Sequence, residues 1–498
     1  MKRRILACLM TLVLLATFVS GCGSKEAASV SKEEEPYTVH FLYLVAQEGA
    51  DQEEVEAAVD ALAMEELNMH VDLIPMTLGV YESQLPVLMA SGQDLDIAPV
   101  LNRFYASFLD SEYLVNMEDL LQYAPDVTEL LGDEADAVKM GDFLLGLPMM
   151  RERTHQSGFV VRKDIMDELG LSAEDFNVNT DDYSSYQQIT DLFAKVKELH
   201  PEMICFDGTY IMGTQTDTYI DNLGNYFGVL EDYGRTTKIT NWFESDQFRA
   251  FCDIAREWYE AGYLSKDIAV NSDTGEVKMK AGNTFSFMSV LKPNTAQEKE
   301  SQTGYPVEII PISESMINTG SLSLQTYSIA AASKDPVKAM KFLNWAYTSS
   351  EFNDLINWGI EGKHWVVDDN GNAAFPEGVT LADVGYHNDF GWAYPNQFLG
   401  HPWAGNDADI WEQYEASNNS PDNIKSEAFG FMFDQVDYAD EISQLNAVYE
   451  QYKKDVAFGT VEIEPALKMF NDALYAAGLQ KVMDGKQAQL DAWLAENK

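Results

Sequence analysis

Basic residues are scarce in this chain: 33 Lys and Arg stand against 81 Asp and Glu, a formal net charge of −48 over 498 residues. The acids are spread over helical faces without a single acidic tail, and such a surface repels nucleic acid and anionic lipid, so neither is expected as a partner. Cysteine is rarer still, at Cys8, Cys22, Cys205 and Cys252, and the seven histidines are scattered without an HxH or HExxH pair. No Cys/His cluster has metal-ligand spacing, so no metal is expected. P-loop, GxGxxG and GxSxG patterns are also absent, which removes several enzyme classes and leaves no cofactor to expect. The one long apolar run, Ile5–Val19, is too short for a comfortable membrane span, which needs roughly 20 apolar residues.

That run has a different meaning. Lys2, Arg3 and Arg4 precede it, and Val19-Ser20-Gly21-Cys22 closes it. A positive start, a short apolar segment and small residues at a cut site describe a secretory signal over residues 1–21. The ending resembles the bacterial lipoprotein signal, in which the cysteine becomes the lipid-bearing first residue; this implies attachment to the membrane through the Cys22 lipid. Gly23–Glu35 (GSKEAASVSKEEE) has nothing to bury and is expected to be a disordered tether reaching roughly 20 Å. Removing residues 1–21 takes the formal charge from −48 to −51. In the remaining body Cys205 and Cys252 either pair or stay as buried thiols, and both readings are open.

A body this long needs two or more domains. Thr38–Leu44 alternates as a strand, Asp51–Leu67 places Val55, Val59 and Leu62 on one helical face, and His70–Met76 is a second strand. Tyr81–Ala90 reads as a helix stopped by Ser91-Gly92, and Leu95–Val100 as a continuous apolar strand. Strand and helix alternating at this spacing suggest a parallel sheet with crossover helices, in which ligands sit beyond the carboxyl ends of strands. That rule points to Tyr43, Glu82, Asn102 and Arg103. Further strands are expected at Ser157–Arg162, Thr284–Val290, Val307–Pro311 and Ser328–Ala332. Lys163–Gly170 is a short helix closed by glycine. Asp335-Pro336 caps a helix running to about Tyr347, with Val337, Met340 and Leu343 buried. Asp368–Asn372 (DDNGN) lacks EF-hand spacing and reads as an Asn-Gly hairpin turn. Helices follow from Ile442 to Gln451 and from Pro465 to about Asn497. No internal repeat is present.

Several segments together resemble one family. They are Tyr81–Ile97 (YESQLPVLMASGQDLDI), Gly141–Pro148 (GDFLLGLP), Phe159–Asp164, and Tyr347–Asp368 around Gly359–His364. Later come Asn396-Gln397-Phe398, Pro402-Trp403, Phe429–Asp434 (FGFMFD) and Ala476–Leu494 (AAGLQKVMDGKQAQLDAWL). The set is similar to the extracellular solute-binding lipoproteins of carbohydrate ABC transporters, in the group with a characteristic C-terminal domain of unassigned role. It covers essentially everything after residue 36. The Asn102-Arg103-Phe104 and Met149–His155 stretches depart from the family pattern.

The resemblance implies an α/β, two-lobed periplasmic-binding-protein-like fold of type II, each lobe a central sheet flanked by helices, with the ligand cleft between. Carried onto this chain, lobe one is 37–150 plus 312–385 and lobe two is 151–311 plus 386–498, including the helical C-terminal region. Ligand capture by hinge closure follows. The implied partners are a small carbohydrate, most simply an oligosaccharide, and the permease subunits of an ABC importer. The expected form is a monomer on the extracytoplasmic face of a Gram-positive membrane. Aromatic faces cover the apolar face of a pyranose while Arg, amides and carboxylates satisfy its hydroxyls. Candidates on these grounds are Tyr43, Glu82, Asn102, Arg103, Arg151, Glu152, Tyr210 and Lys292, joined by Trp358, Glu361, Trp392, Asn396 and Gln397. Gly359–His364 also reads as a glycine-bounded turn holding a hinge, and Trp392 and Trp403 as packing of lobe two. No residue is assigned a catalytic role. Three rivals are carried: a glycoside hydrolase working with two carboxylates, a surface lipoprotein with an adhesive or structural role, and a peptide-binding subunit.

Overall fold

Strand Tyr37–Val45 sends successive side chains to opposite faces of a sheet, and both faces are buried. Val39, Phe41, Tyr43 and Val45 enter one core cluster with Met340, Phe342, Leu343 and Phe352. Leu42 and Leu44 enter another with Tyr81, Leu85 and Tyr105. The strand pairs in parallel with Met69–Thr77 along its length and with Ile97–Leu101 on its other side. Gln325–Ile329 then adds antiparallel to Ile97–Leu101, and Leu147–Pro148 antiparallel to that, closing a five-stranded sheet. Helix Gln52–Leu67 makes the first crossover, burying Gln52, Val55, Val59 and Ala63 as a stripe at helical spacing.

The computed structural model describes residues 35–45, 47–209, 219–271 and 273–497. The leader 1–21, Cys22, residues 23–34, Tyr210 and the side chain of Glu82 lie outside the described residues. Within the unit from Tyr37 onward, a second sheet of four strands takes the order Val307–Pro311, Ser157–Arg162, Thr284–Val290, Ile204–Phe206. Its first three strands are antiparallel, and Ile204–Phe206 runs parallel to Thr284–Val290. Phe159, Phe193, Phe206, Trp258 and Ile310 pack one core around it. Cys205 and Cys252 are buried there and free.

The C-terminal helices Ala439–Ala457, Ile463–Ala476 and Leu479–Asn497 join that second core through Leu445, Phe470, Leu474 and Leu490. The sequence predicts one helix from Pro465 to Asn497, and the structure breaks it at Ala477-Gly478. Gly478 sits at φ +102°, a conformation that interrupts the helix, and a Cβ there would meet the Cγ of Glu441 at 2.7 Å. The earlier FGFMFD segment divides its side chains. Phe431 and Phe433 enter the second core, while Met432 packs against both clusters of the first lobe.

Three segments cross between the lobes and are hydrogen-bonded side by side. His155 and Met316 exchange both backbone bonds at 2.8 Å, and Met316–Ile317 pairs in parallel with Ile424–Lys425. Met150 N–H donates to Pro395 and Gln397 N–H to Met150, each at 3.0 Å. The Asn418 side chain clamps the same region, donating to Arg151 O at 2.9 Å and accepting from Arg153 N–H at 2.8 Å. Ile312 belongs to the second core and Tyr394 to the first. No helix among the described residues is long and apolar enough to cross a membrane.

Candidate functional site

A cavity of about 620 Å³ lies between the two lobes. Its floor on the second lobe comes from one helix. Asn294, at the N-cap position of Thr295–Thr303, and Gln297, Glu298, Ser301 and Gln302 all line it. Those positions recur at three- and four-residue spacing, so they share one face of the helix. On the first lobe, helix Ser350–Trp358 ends at the cavity with Asn357 and Trp358; Asp389, Gly391 and Trp392 follow, in a stretch expected in lobe two whose Phe390, Trp392 and Tyr394 pack on the first lobe's clusters instead. The crossing segments contribute Glu152 and Gln397. The irregular segment before helix Ile410–Asn418 supplies Trp403 and Asn406, and the helix itself supplies Trp411 and Tyr414.

Aromatic rings make up one side. Trp358 and Trp403 lie 4.8 Å apart at 37°, and Trp403 is backed by His387 at 4.4 Å and Phe375 at 4.7 Å. Trp358 Nε1 donates to His401 O at 3.0 Å and Trp411 Nε1 to Gly400 O at 2.6 Å, so each ring is fixed by its polar edge. Burial pushes the His387 imidazole down to about 4, which keeps it neutral at ordinary pH.

The polar side is tied together. Lys292 reaches Glu298 at 2.7 Å, and Lys299 reaches Glu298 at 3.0 Å and Glu276 at 2.8 Å. Burial would lower the Lys292 ammonium, but Glu152, Tyr414 and Glu298 reverse this and hold it above its usual range. Burial alone would likewise raise the Glu298 carboxyl, and Lys292 and Lys299 bring it below normal. Tyr414 donates to Asn294 Oδ1 at 2.6 Å, and burial pushes its hydroxyl up to about 12. Asn294 Nδ2 donates to Asn406 Oδ1 at 2.7 Å, and Gln397 Nε2 to Glu152 at 3.1 Å. Among the described residues no group of three or more His, Cys, Asp or Glu could hold a metal ion.

Of the residues expected from sequence, the cavity gathers Glu152, Lys292, Trp358, Trp392 and Gln397. Tyr43 is elsewhere, fully buried with its hydroxyl shared between Gln52 and Tyr386, because its place in the alternation turns it to the core. Asn102 faces a separate small pocket beside Tyr105 and Phe431, and Arg103 is exposed on the same turn. Asn396 is buried and donates to Tyr347 O at 3.0 Å. Glu361 is exposed in the turn after helix Ser350–Trp358, and Arg151 is half-buried at the crossing without lining the cavity. The residues missed from sequence are Asn294, Gln297, Glu298, Ser301, Gln302, Asn357, Asp389, Asn406, Trp411 and Tyr414. The polar stripe from Asn294 to Gln302 and the Trp, Tyr and Asn density of 387–414 were the available signals.

A cleft lined by four indoles and by amides, carboxylates and one ammonium is built to hold a polar ligand with an apolar face. Comparison with known proteins gives this fold and site a context. The model of the bacterial extracellular solute-binding protein family matches residues 49–351, more than half the chain. A domain of unknown function, DUF3502, matches residues 427–495, which hold the C-terminal helices. A carbohydrate ABC transporter substrate-binding protein of Streptococcus pneumoniae serotype 4 is 24% identical over 98% of both chains. The crystal structure of an N-glycan transport solute binding protein from Streptococcus pneumoniae superposes with a TM-score of 0.79 at 20% identity, covering 93% of this chain and 100% of that one. Its complex with Man5GlcNAc gives 0.70 at 19% identity, covering 93% and 99%. These likenesses show the two-lobed type II solute-binding fold. The chain belongs to the bacterial extracellular solute-binding protein family.

Proposed function

We propose that this solute-binding protein captures an oligosaccharide between its lobes and delivers it to an ABC importer, held at the extracytoplasmic face by a lipid on Cys22. The observation that carries the reading is the cavity itself, which Trp358, Trp392, Trp403 and Trp411 line together with amides and carboxylates. Indole faces suit the apolar face of a pyranose, and the amides donate to and accept from its hydroxyls. A volume of about 620 Å³ accommodates more than one sugar ring. The relatives named above support the reading, since one is described as a carbohydrate transporter's binding protein and another was crystallised with Man5GlcNAc. The chain is a binding protein, not an enzyme, as its family and its full-length relative are.

Ligand that touches both lobes favours the closed arrangement by its differential affinity, and the hydrogen-bonded crossings are where that motion concentrates. Thermal unfolding of the purified protein against mono- and oligosaccharides tests the proposal. Sugar at 100 times its dissociation constant stabilises by about 2.7 kcal/mol, a rise of a degree or more for a chain this size. The sugar should be recovered unchanged. No rise with any sugar, and a rise with short peptides, would replace carbohydrate with peptide as the cargo.

A further inference from the structure

Three carboxylates and one ammonium line the cavity, and they are not equally satisfied. Glu298 holds Lys292 at 2.7 Å, and Glu152 accepts from Gln397 at 3.1 Å. Asp389 stands apart: among the described residues its carboxylate takes no hydrogen bond and no ion pair. Its side chain is exposed along the cavity, where solvent reaches it until a ligand displaces the water, and the surrounding protein raises its carboxyl above the usual value by desolvation, against the pull of Lys292.

The backbone holds it there with some strain. Asp389 adopts φ +52°, in the left-handed region that non-glycine residues seldom occupy. Its neighbours are pinned on both sides by helix Ser350–Trp358. Asn388 N–H donates to Asn357 O and Phe390 N–H to Asn357 Oδ1, each at 2.9 Å. Asn388 is anchored again through Nδ2 to Ile356 O at 2.9 Å. Gly391, next but one, leaves room beside Asn357 and Gln397, where a Cβ would lie 3.2 and 3.5 Å from their side chains. An unpartnered acid, presented on a clamped left-handed turn into a ligand cavity, is placed to receive donors from outside the protein.

We infer that Asp389 is the specificity-determining acceptor of this cavity, receiving hydroxyl donors of a neutral sugar and excluding sugars that carry a carboxylate. The inference rests on the carbohydrate reading above. A carboxylate has two oxygens that accept from a vicinal diol, and with Glu298 within electrostatic reach and Glu152 lining the same cavity, three carboxylates against the one Lys292 ammonium oppose an acidic ring. Asparagine keeps the shape and tolerates the left-handed backbone, so Asp389→Asn should fold while losing the charge.

The test is calorimetric titration of wild type and Asp389→Asn with mannotriose, cellotriose, maltotriose and trigalacturonate. The expected result is a neutral trisaccharide that binds wild type, binds the variant at least about tenfold more weakly, and a trigalacturonate that gains on it in the variant. An unchanged neutral affinity in Asp389→Asn, or wild type taking trigalacturonate as tightly as the neutral sugars, would overturn the inference and leave the carbohydrate reading standing. Binding of none of these sugars by wild type, together with no thermal stabilisation by any mono- or oligosaccharide and a rise with short peptides, would remove that reading and the inference together.

Discussion

Lys486 shows how far a single side chain can be carried from its ordinary chemistry. It is fully buried, and its ammonium donates to Gly228 O at 2.7 Å and Asn225 Oδ1 at 3.0 Å. Burial pushes the amine from 10.5 down to about 7, with Asp221 pulling the other way. Between those values the unfolded chain holds a proton that the folded one has released, so stability rises with pH across that window. Below about 7 both states are protonated and the contribution is flat. Relative to Lys486→Met, wild type should therefore gain roughly 1.4 kcal/mol per pH unit from about pH 7 towards 10. Urea unfolding of both proteins at pH 7, 8 and 9 measures it, and parallel curves would refute it. Nothing in the sequence distinguished this lysine from its neighbours, because its environment is assembled from residues more than 250 positions away.

Elements were more legible than side chains. The Asp335-Pro336 pair announces a helix start, and the structure opens helix Pro336–Ala346 there with the Asp335 carboxylate accepting from Lys338 N–H at 3.0 Å. Asp335→Ala should lower unfolding free energy by about 1 kcal/mol, read by urea denaturation with an unchanged slope. The buried face of this helix is Ala339, Met340, Phe342, Leu343, Trp345 and Ala346; of the expected Val337, Met340, Leu343 stripe, Met340 and Leu343 are buried while Val337, in the first turn, is only half-buried. The face is broad because it packs between the sheet and helix Ser350–Trp358, where Phe342 meets Phe41 and Phe352. Helix Thr295–Thr303 is the opposite case. Its polar stripe has the composition of a solvated helix face, and only its position in the fold makes it a cavity floor.

The whole molecule couples two cores through three crossings, and the C-terminal segment takes part in that coupling. Met432 leaves the second core's segment to pack against the first lobe, so the region matched by DUF3502 touches both. The proposed membrane attachment belongs to the same scale, and the proposal places it on Cys22. Cys22→Ala should move the protein from the membrane fraction into the medium, followed by fractionation and immunoblot, without altering sugar binding. Retention of the variant on the membrane would remove the lipid anchor from the proposal.

Local pattern determined what local forces control. The two-residue alternation of Thr38–Leu44, the glycine stop at Gly92 and the Asn-Gly turn of 370–371 carry their geometry in adjacent residues, and each appears where the pattern put it. The family pattern gave the two-lobed architecture. Tertiary structure alone decided which polar residues share a space. Glu152, Lys292, Asp389 and Tyr414 come from separate segments of the chain and meet because the folded chain brings those segments around one cavity. Tyr43 looked equally suitable, but the pleat turned it inward, and desolvation with hydrogen bonds to Gln52 and Tyr386 made it core. A side chain's chemistry is written in the sequence; its dielectric surroundings and its neighbours are set by contacts no local window contains.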